Sequence, residues 1–443
     1  MNKLFSVSAR ALARGRGITR SGVALGAALA LSLFAPSAGA ELLLQGVRQV
    51  AVGGSHACAL LADGNVACWG NNASGQVGQP LDDLPPSADA PAGIVIVVPF
   101  PRIVPGLTAP GISVTAIAVG ASHSCARRSD AQVWCWGSNS ANQLGRISVW
   151  SSTPAPVLAG DDSPLAAVNV IAAGADHSCA IVGANNTLYC WGSNVGGQLG
   201  NGTTNPRTRA AAVLSAPGGP VFSGVGMVAA GMASNCALLV TGLFTGEVRC
   251  WGGNVGGELG SGDLNPYLTP RKITAFQAFG SLSLGAGHAC AALFSGGYCW
   301  GDNSSGQLGQ GAAGSPVLNP AAVATPLAFQ SVASGYLHNC AVRSDATVAC
   351  WGGNSVGQLG DGTTDARPSP TAVAGLRGVR QVSANPIGGT TCVVAGSKTD
   401  GSDAAVLCWG SNGGGVLGNG TDPQTAAVRP GYVGDRLFRD GLD

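Results

Sequence analysis

The sequence predicts an all-β fold, a seven-bladed β-propeller with about four short antiparallel strands per blade. Three observations predict it: a Cys-Trp-Gly triplet repeated seven times, a second cysteine upstream of each triplet, and 70 glycines without the Gly-X-Y period of collagen. No long stretch of helical periodicity follows the first forty residues. With 45% hydrophobic and 10% charged residues, the chain can bury a large core.

The first forty residues read as a secretory signal peptide. Lys3, Arg10, Arg14, Arg16 and Arg20 form a basic start with no acid, and an apolar run from Val23 to Phe34 follows. Pro36 and the small-residue site Ala38-Gly39-Ala40 then mark a cleavage point. The apolar run is too short for a stable membrane anchor. An organelle transit peptide is the alternative, but those are amphipathic and this run is apolar on every side. The leader holds five of the 23 basic residues and none of the 22 acidic ones, so residues 41–443 carry 18 against 22, a formal −4. A mildly acidic chain without a Lys/Arg cluster lacks the electrostatic footprint of a nucleic-acid binder.

The triplets stand at 68–70, 135–137, 190–192, 250–252, 299–301, 350–352 and 408–410, with Trp-to-Trp spacings from 49 to 67. Three residues after each Trp comes Asn72, Asn139, Asn194, Asn254, Asn303, Asn354 or Asn412, and then a turn close to Gly-Gln-Leu-Gly. Each unit opens with alternating strands around a short turn. In the first, Val50 to Leu61 leads through Ala62-Asp63-Gly64 into Asn65 to Trp69, and Gly accepts the left-handed turn conformation at no steric cost. A Pro-led apolar piece such as Pro270 to Phe276 or Pro370 to Leu376 supplies the fourth strand. Residues 41–443 therefore form a single propeller domain, with hairpins at 50–70, 116–137, 170–192, 227–252, 282–301, 331–352 and 380–410. The first unit lacks a Pro-led strand before Val47, and the chain ends with a similar piece at 426–433, so the sequence predicts that this closing segment completes the first blade. Closure removes exposed strand edges.

The fourteen cysteines fall into pairs across the hairpins: Cys58 with Cys68, Cys125 with Cys135, Cys179 with Cys190, Cys236 with Cys250, Cys290 with Cys299, Cys340 with Cys350, and Cys392 with Cys408. Directly opposed residues on antiparallel strands lie within disulfide reach. An even count, regular placement and an export signal favour seven disulfides. A metal site using His56 with Cys58 is the rival reading, but the close Cys-x-x-Cys spacing of zinc sites is missing.

The strings Gly53 to Leu60, Asp63 to Gly70 and Asn72 to Gly78 resemble the regulator of chromosome condensation repeat, and the resemblance covers nearly all of residues 47–433. It implies a seven-bladed propeller. The family's eukaryotic founder exchanges guanine nucleotide on a nuclear GTPase and binds chromatin. A leader peptide, paired cysteines and an acidic chain fit better with secreted bacterial propellers of this repeat, which inhibit β-lactamases by protein–protein contact. Two units depart from the pattern: Ser234 and Thr390 replace the repeat histidine.

The five histidines, His56, His123, His177, His288 and His338, share one repeat position, which predicts a buried hydrogen bond in their own turn. The triplet tryptophans are expected in the core over neighbouring disulfides, and the seven asparagines as turn formers. Asn72, Asn201, Asn303 and Asn419 form glycosylation sequons that the repeat already explains. The sequence holds no catalytic motif, metal set or cofactor-binding loop. Asp82-Asp83 and Asp161-Asp162 lie in Pro/Ser-rich loops and read as solvated pairs.

Four up-and-down strands bring the Gly-x-x-His turn and the loop after Gly-Gln-Leu-Gly to one face. That face is expected to collect Phe100 from insert 79–113, with Arg146, Trp150, Met232, Tyr267, Tyr336 and Leu337. Each could instead pack under its own loop. The first functional expectation is a non-enzymatic, monomeric binding propeller for another protein, exported to the periplasm or medium, without cofactor, nucleic acid or membrane anchor. The alternatives are an exchange factor or loop-built enzyme, and a carbohydrate binder stacking sugars on Trp150. Thiol labelling of the denatured, unreduced protein checks the cysteine framework: no thiol should react, and several labelled cysteines per chain would refute it.

Overall fold

The computed structural model describes residues 44–80, 97–240, 245–277, 279–293, 296–325, 328–398, 401–420 and 427–433. The predicted leader, Asp82-Asp83 and residues 81–96 of insert 79–113 lie outside the described residues. Seven four-stranded antiparallel sheets follow one another along the chain, each in up-and-down order. The first blade comprises Val47–Val52, His56–Leu61, Val66–Asn71 and Val97–Ile103, from innermost to outermost strand. The remaining six run over Val114–Pro156, Val168–Ala212, Val225–Gln277, Phe279–Ala322, Phe329–Ala372 and Val379–Tyr432.

The closing segment departs from expectation. Ala427–Tyr432 pairs with Ala405–Gly410 as the outermost strand of the seventh sheet. The first blade draws its outermost strand from Val97–Ile103, inside the stretch read as an insert. The C-terminal segment still sits at the seam, where Leu44 N–H reaches the Val433 carbonyl and Val47 N–H reaches the Ala404 carbonyl. The ring thus closes by packing between complete blades.

The seven disulfides pair as the sequence predicts. They join Cys58 to Cys68, Cys125 to Cys135, Cys179 to Cys190 and Cys236 to Cys250. The last three join Cys290 to Cys299, Cys340 to Cys350 and Cys392 to Cys408. In every pair the two cysteines stand in direct register across the hairpin. Their Cα atoms lie 4.1 Å apart. The described residues include no free cysteine.

Each triplet Trp is buried and packs in one cluster with the disulfide of the preceding blade. Trp136 lies with Cys58 and Cys68, Trp191 with Cys125 and Cys135, and Trp251 with Cys179 and Cys190. Trp300 lies with Cys236 and Cys250, Trp351 with Cys290 and Cys299, and Trp409 with Cys340 and Cys350. Trp69 completes the series across the seam, with Cys392 and Cys408. The indole N–H donates back to that preceding blade. Trp136 reaches the Gln76 carbonyl at 3.0 Å, Trp191 that of Gln143 at 2.9 Å, Trp251 that of Gln198 at 2.9 Å, and Trp69 that of Val416 at 2.8 Å. The ring leaves no room for a Cβ at the last glycine of the Gly-Gln-Leu-Gly turn. At Gly200, a Cβ would lie 2.7 Å from Trp251 Nε1, in a backbone of φ +63.

The histidines are buried as expected, but their bond leaves the turn. His56 Nε2 meets Ser124 Oγ at 2.9 Å, His123 meets Ser178 at 2.8 Å, and His177 meets Asn235 Oδ1 at 3.0 Å. His288 meets Asn339 at 3.1 Å and His338 meets Thr391 at 2.8 Å. Each acceptor belongs to the next blade and donates in turn to the same glutamine carbonyl that takes the indole, as Asn235 does to Gln198 at 2.7 Å and Ser124 to Gln76 at 2.9 Å. Those outgoing bonds fix the histidines as Nε2–H tautomers. The ring reaches the next blade because it lies over a glycine; a Cβ at Gly120 would stand 2.1 Å from His123 Cε1. The two departures now have a cause. Ser234 precedes the blade whose acceptor position is Ala289, and Thr390 precedes the one with Ala57, so a histidine there would have no partner.

The free edges of the blades are also covered. On the inner strands, Gln49 bonds both Ile117 backbone groups in the next blade, Gln381 does the same for Val50, and Ser283 accepts from Ser334 N–H. Six of the outer strands contain proline, such as Pro99, Pro154, Pro270 and Pro368, which cannot donate to a further strand. The exception, Arg207–Ala212, donates from Ala210 N–H to Leu158 of the second blade.

Complete burial holds His56, His123 and His338 down at about 3, and His177 and His288 at about 4. Unfolded histidine takes up its proton near 6.5, so below that pH the unfolded chain binds more protons and stability falls until the folded values are reached. Each histidine protonated only in the unfolded state costs about 1.4 kcal/mol per pH unit. A melting series from pH 7.5 to 5 should therefore show a steep decline above the carboxylate range. A flat profile would show that these rings are not buried and neutral.

Candidate interaction face

The seven repeat asparagines build one face. Each side-chain carbonyl accepts from the backbone five residues on, as Asn194 does from Leu199 N–H at 2.8 Å and Asn354 from Leu359 N–H at 2.9 Å. The amide then ties down the following loop, as Asn194 does at the Thr203 and Asn205 carbonyls. Asn72, Asn303 and Asn419 are buried, which takes these sequons out of the reach of glycan attachment; Asn201 is half-buried.

The structure separates the sequence-selected residues into two groups. Phe100 belongs to the outer strand of the first blade, and its ring occupies the space above Gly420, where a Cβ would lie 2.2 Å from Cζ. Arg146 is half-buried and donates to the Cys135 and Ala155 carbonyls at 2.9 and 3.1 Å, with burial lowering its pKa to about 10. Tyr267 donates to Asp263 at 2.6 Å, carries the Arg271 guanidinium 4.3 Å over its ring, and packs on two core clusters. Leu337 is partly buried beside Gly353. Trp150, Met232 and Tyr336, by contrast, are 45%, 47% and 47% exposed.

Further exposed aliphatics lie on the same face. Val195 and Val255 are 80% and 91% exposed, each directly after its repeat asparagine. The loop bearing Val195 touches the turn bearing Met232, since a Cβ at Gly196 would lie 3.1 Å from the Ala233 carbonyl. That turn in turn receives Gly253 N–H at 2.8 Å, two residues before Val255. Ile147, Val149 and Trp150 are further exposed apolar side chains, in the second blade. Sequence inspection passed over Val195 and Val255 because small aliphatics in a glycine-rich turn resemble turn filler.

Two acidic groups stand where other blades have neutral ones. Glu258 replaces the repeat glutamine and accepts from Gly256 N–H at 2.8 Å; burial, and then the Asp302 carboxylate, pushes its pKa up to about 7. Asp302 accepts from Ser304 and Gln307. At the centre of the ring, a cavity of about 310 Å³ is walled mainly by small residues such as Ala51, Ala118, Ala172, Ala229 and Ala384. Among the described residues no three His, Cys, Asp or Glu side chains come together as a metal site.

Two forms of the regulator of chromosome condensation repeat model match, one over residues 47–76, 114–143, 168–198 and 329–358, the other over 63–127, 130–181, 298–342 and 345–393. Together they span more than half of the chain. The chain belongs to the regulator of chromosome condensation repeat family. It is 28% identical over 347 residues to the human E3 ubiquitin-protein ligase HERC2, covering 77% of this chain but 7% of that protein. With the Arabidopsis thaliana ultraviolet-B receptor UVR8 it is 29% identical over 323 residues, 71% of this chain and 69% of the receptor. Among solved structures it resembles Saccharomyces cerevisiae Prp20p, described with its binding to Gsp1p and histones (22% identity, TM-score 0.67, 83% and 85% of the two chains). Human WBSCR16 is similar at 21% identity and TM-score 0.65, over 78% and 86%. At these identities the two structures share the fold. The family fold is a protein-interaction module, and its seven disulfides here fit an oxidising environment.

The two groups of side chains should separate by calorimetry. Arg146→Ala leaves two strand carbonyls without their donor and should cost about 1–3 kcal/mol, whereas Trp150→Ala should stay within about 0.5 kcal/mol. A larger loss at Trp150 than at Arg146 would make Trp150 part of its loop core.

Proposed function

We propose that the chain is an exported, monomeric, non-enzymatic binding module that holds another protein on the face carrying the Gly-x-x-His turns. The observation that supports it best is the exposure of Val195, Met232 and Val255 on adjoining turns, with Trp150 also exposed in the second blade. None of these side chains is required by the repeat, and exposed apolar patches of this kind mark interaction sites. The basic, apolar leader and the disulfides favour the periplasm or the medium, and the formal −4 of residues 41–443 disfavours nucleic acid. Carbohydrate binding at Trp150 is less well supported, since its exposed neighbours Ile147 and Val149 offer no hydrogen bonds to sugar hydroxyls.

The test uses the purified protein as bait for its own secretome, followed by titration of the captured protein. Met232→Asp and Val255→Asp should each weaken capture by at least about 2 kcal/mol with little change in melting. Val240→Asp, an exposed position on the opposite hairpin, should leave it intact. Equal loss at Val240, or none at Met232 and Val255, would place the binding surface elsewhere.

A further inference from the structure

The arc through the third to fifth blades has a charge pattern as well as an apolar one. Asp176 precedes His177 in the third blade's turn and is exposed, and its carbonyl accepts from Ser193 N–H at 2.9 Å, two residues before Val195. From Val195 the surface passes to Met232 and Val255 by the contacts described above. Beyond Val255, a Cβ at Gly256 would lie 2.4 Å from the Gly287 carbonyl, and one at Gly287 would lie 3.5 Å from Asp302 Cβ. Asp176 and Asp302 therefore bracket the aliphatic residues, with Glu258 beneath Gly256. No lysine or arginine occurs in the Gly-x-x-His turns or the Asn-x-x-Gly-Gln turns of any of the seven blades. The nearest cation is Arg207, exposed at the start of the third blade's outer strand opposite Gly192 and outside both kinds of turn; others are paired with acids, as Arg249 and Lys272 are with Glu247.

We propose that the partner on this arc is a protein segment that places lysine or arginine side chains around aliphatic ones. This rests on the face being the binding surface and goes beyond it by fixing the partner's charge. An aliphatic partner alone would desolvate the Asp176 and Asp302 carboxylates, whose charge is met only by the neutral donors Gln143, Ser304 and Gln307. An acidic one would meet Asp176 and Asp302 with no lysine or arginine in the turns that carry them, and repulsion of that kind excludes wrong partners.

Two fluorescent peptides with the same Val-Leu-Val core, one flanked by lysines and the other by glutamates, test the inference by anisotropy with the purified protein. The lysine peptide should bind at least about tenfold tighter, and raising salt from about 20 to 300 mM should erode that preference as the Debye length shrinks. Asp176→Asn and Asp302→Asn should each weaken the lysine peptide roughly threefold, with melting as the folding control. Met232→Ser and Val255→Ser should weaken it too. Equal affinity for both peptides, or no binding of either, overturns the inference. Binding that falls with the serine variants but ignores both asparagine variants keeps the face and overturns its charge preference. Binding indifferent to all four substitutions overturns both readings.

Discussion

One backbone carbonyl in each blade, that of the glutamine in Gly-Gln-Leu-Gly or its equivalent, organises the boundary with the next blade. It accepts the next blade's indole N–H and, at five of the seven boundaries, a second bond from the residue that holds the histidine. Around this junction the repeat becomes intelligible. The asparagine shapes the turn that presents the carbonyl, the last glycine clears space for the indole, and the indole in turn covers the preceding disulfide. Each hydrophobic cluster consequently lies between blades, so no blade completes its core alone.

The boundaries are not equivalent. The seam between seventh and first blades has no histidine bond, but Gln381, Ser383 and Asn385 bind the backbone of Val50 and Val52 across it. The boundary between fourth and fifth blades also lacks the histidine, and there Ser234 Oγ is buried without a partner. By the described hydrogen bonds it is the least cross-linked of the seven, held by Trp300 on the Glu258 carbonyl and by Gly262 N–H on the Leu318 carbonyl. Val255, Glu258 and Asp302 stand at this same boundary. The chain thus spends its least constrained junction where its surface departs most from the repeat.

Much of the architecture was legible because it is local. Hairpins, turn asparagines and disulfides join residues within about one strand pair of each other, where periodicity and turn chemistry act directly. The histidine bond was misassigned because its partner lies 51 to 68 residues away. The sequence nonetheless carried a signal for it: the two units without histidine are those followed by alanine at the acceptor position. The last strand was assigned to the wrong blade because the outer strands lie between motif copies and either neighbour can claim them. On the candidate face, aromatic side chains drew attention by size. Size does not report whether a ring such as Tyr267 is already occupied by Asp263 and Arg271.

The disulfides have a consequence for how the chain reaches its native state. Each joins cysteines 9 to 16 residues apart, and every pair is consecutive in the chain. Fourteen cysteines allow on the order of 10⁵ pairings, yet an oxidant that meets the chain from its N-terminus onward and joins each cysteine to its nearest successor arrives at this one. Oxidation can then run along the chain in step with the folding of each hairpin, without any reshuffling of mispaired thiols.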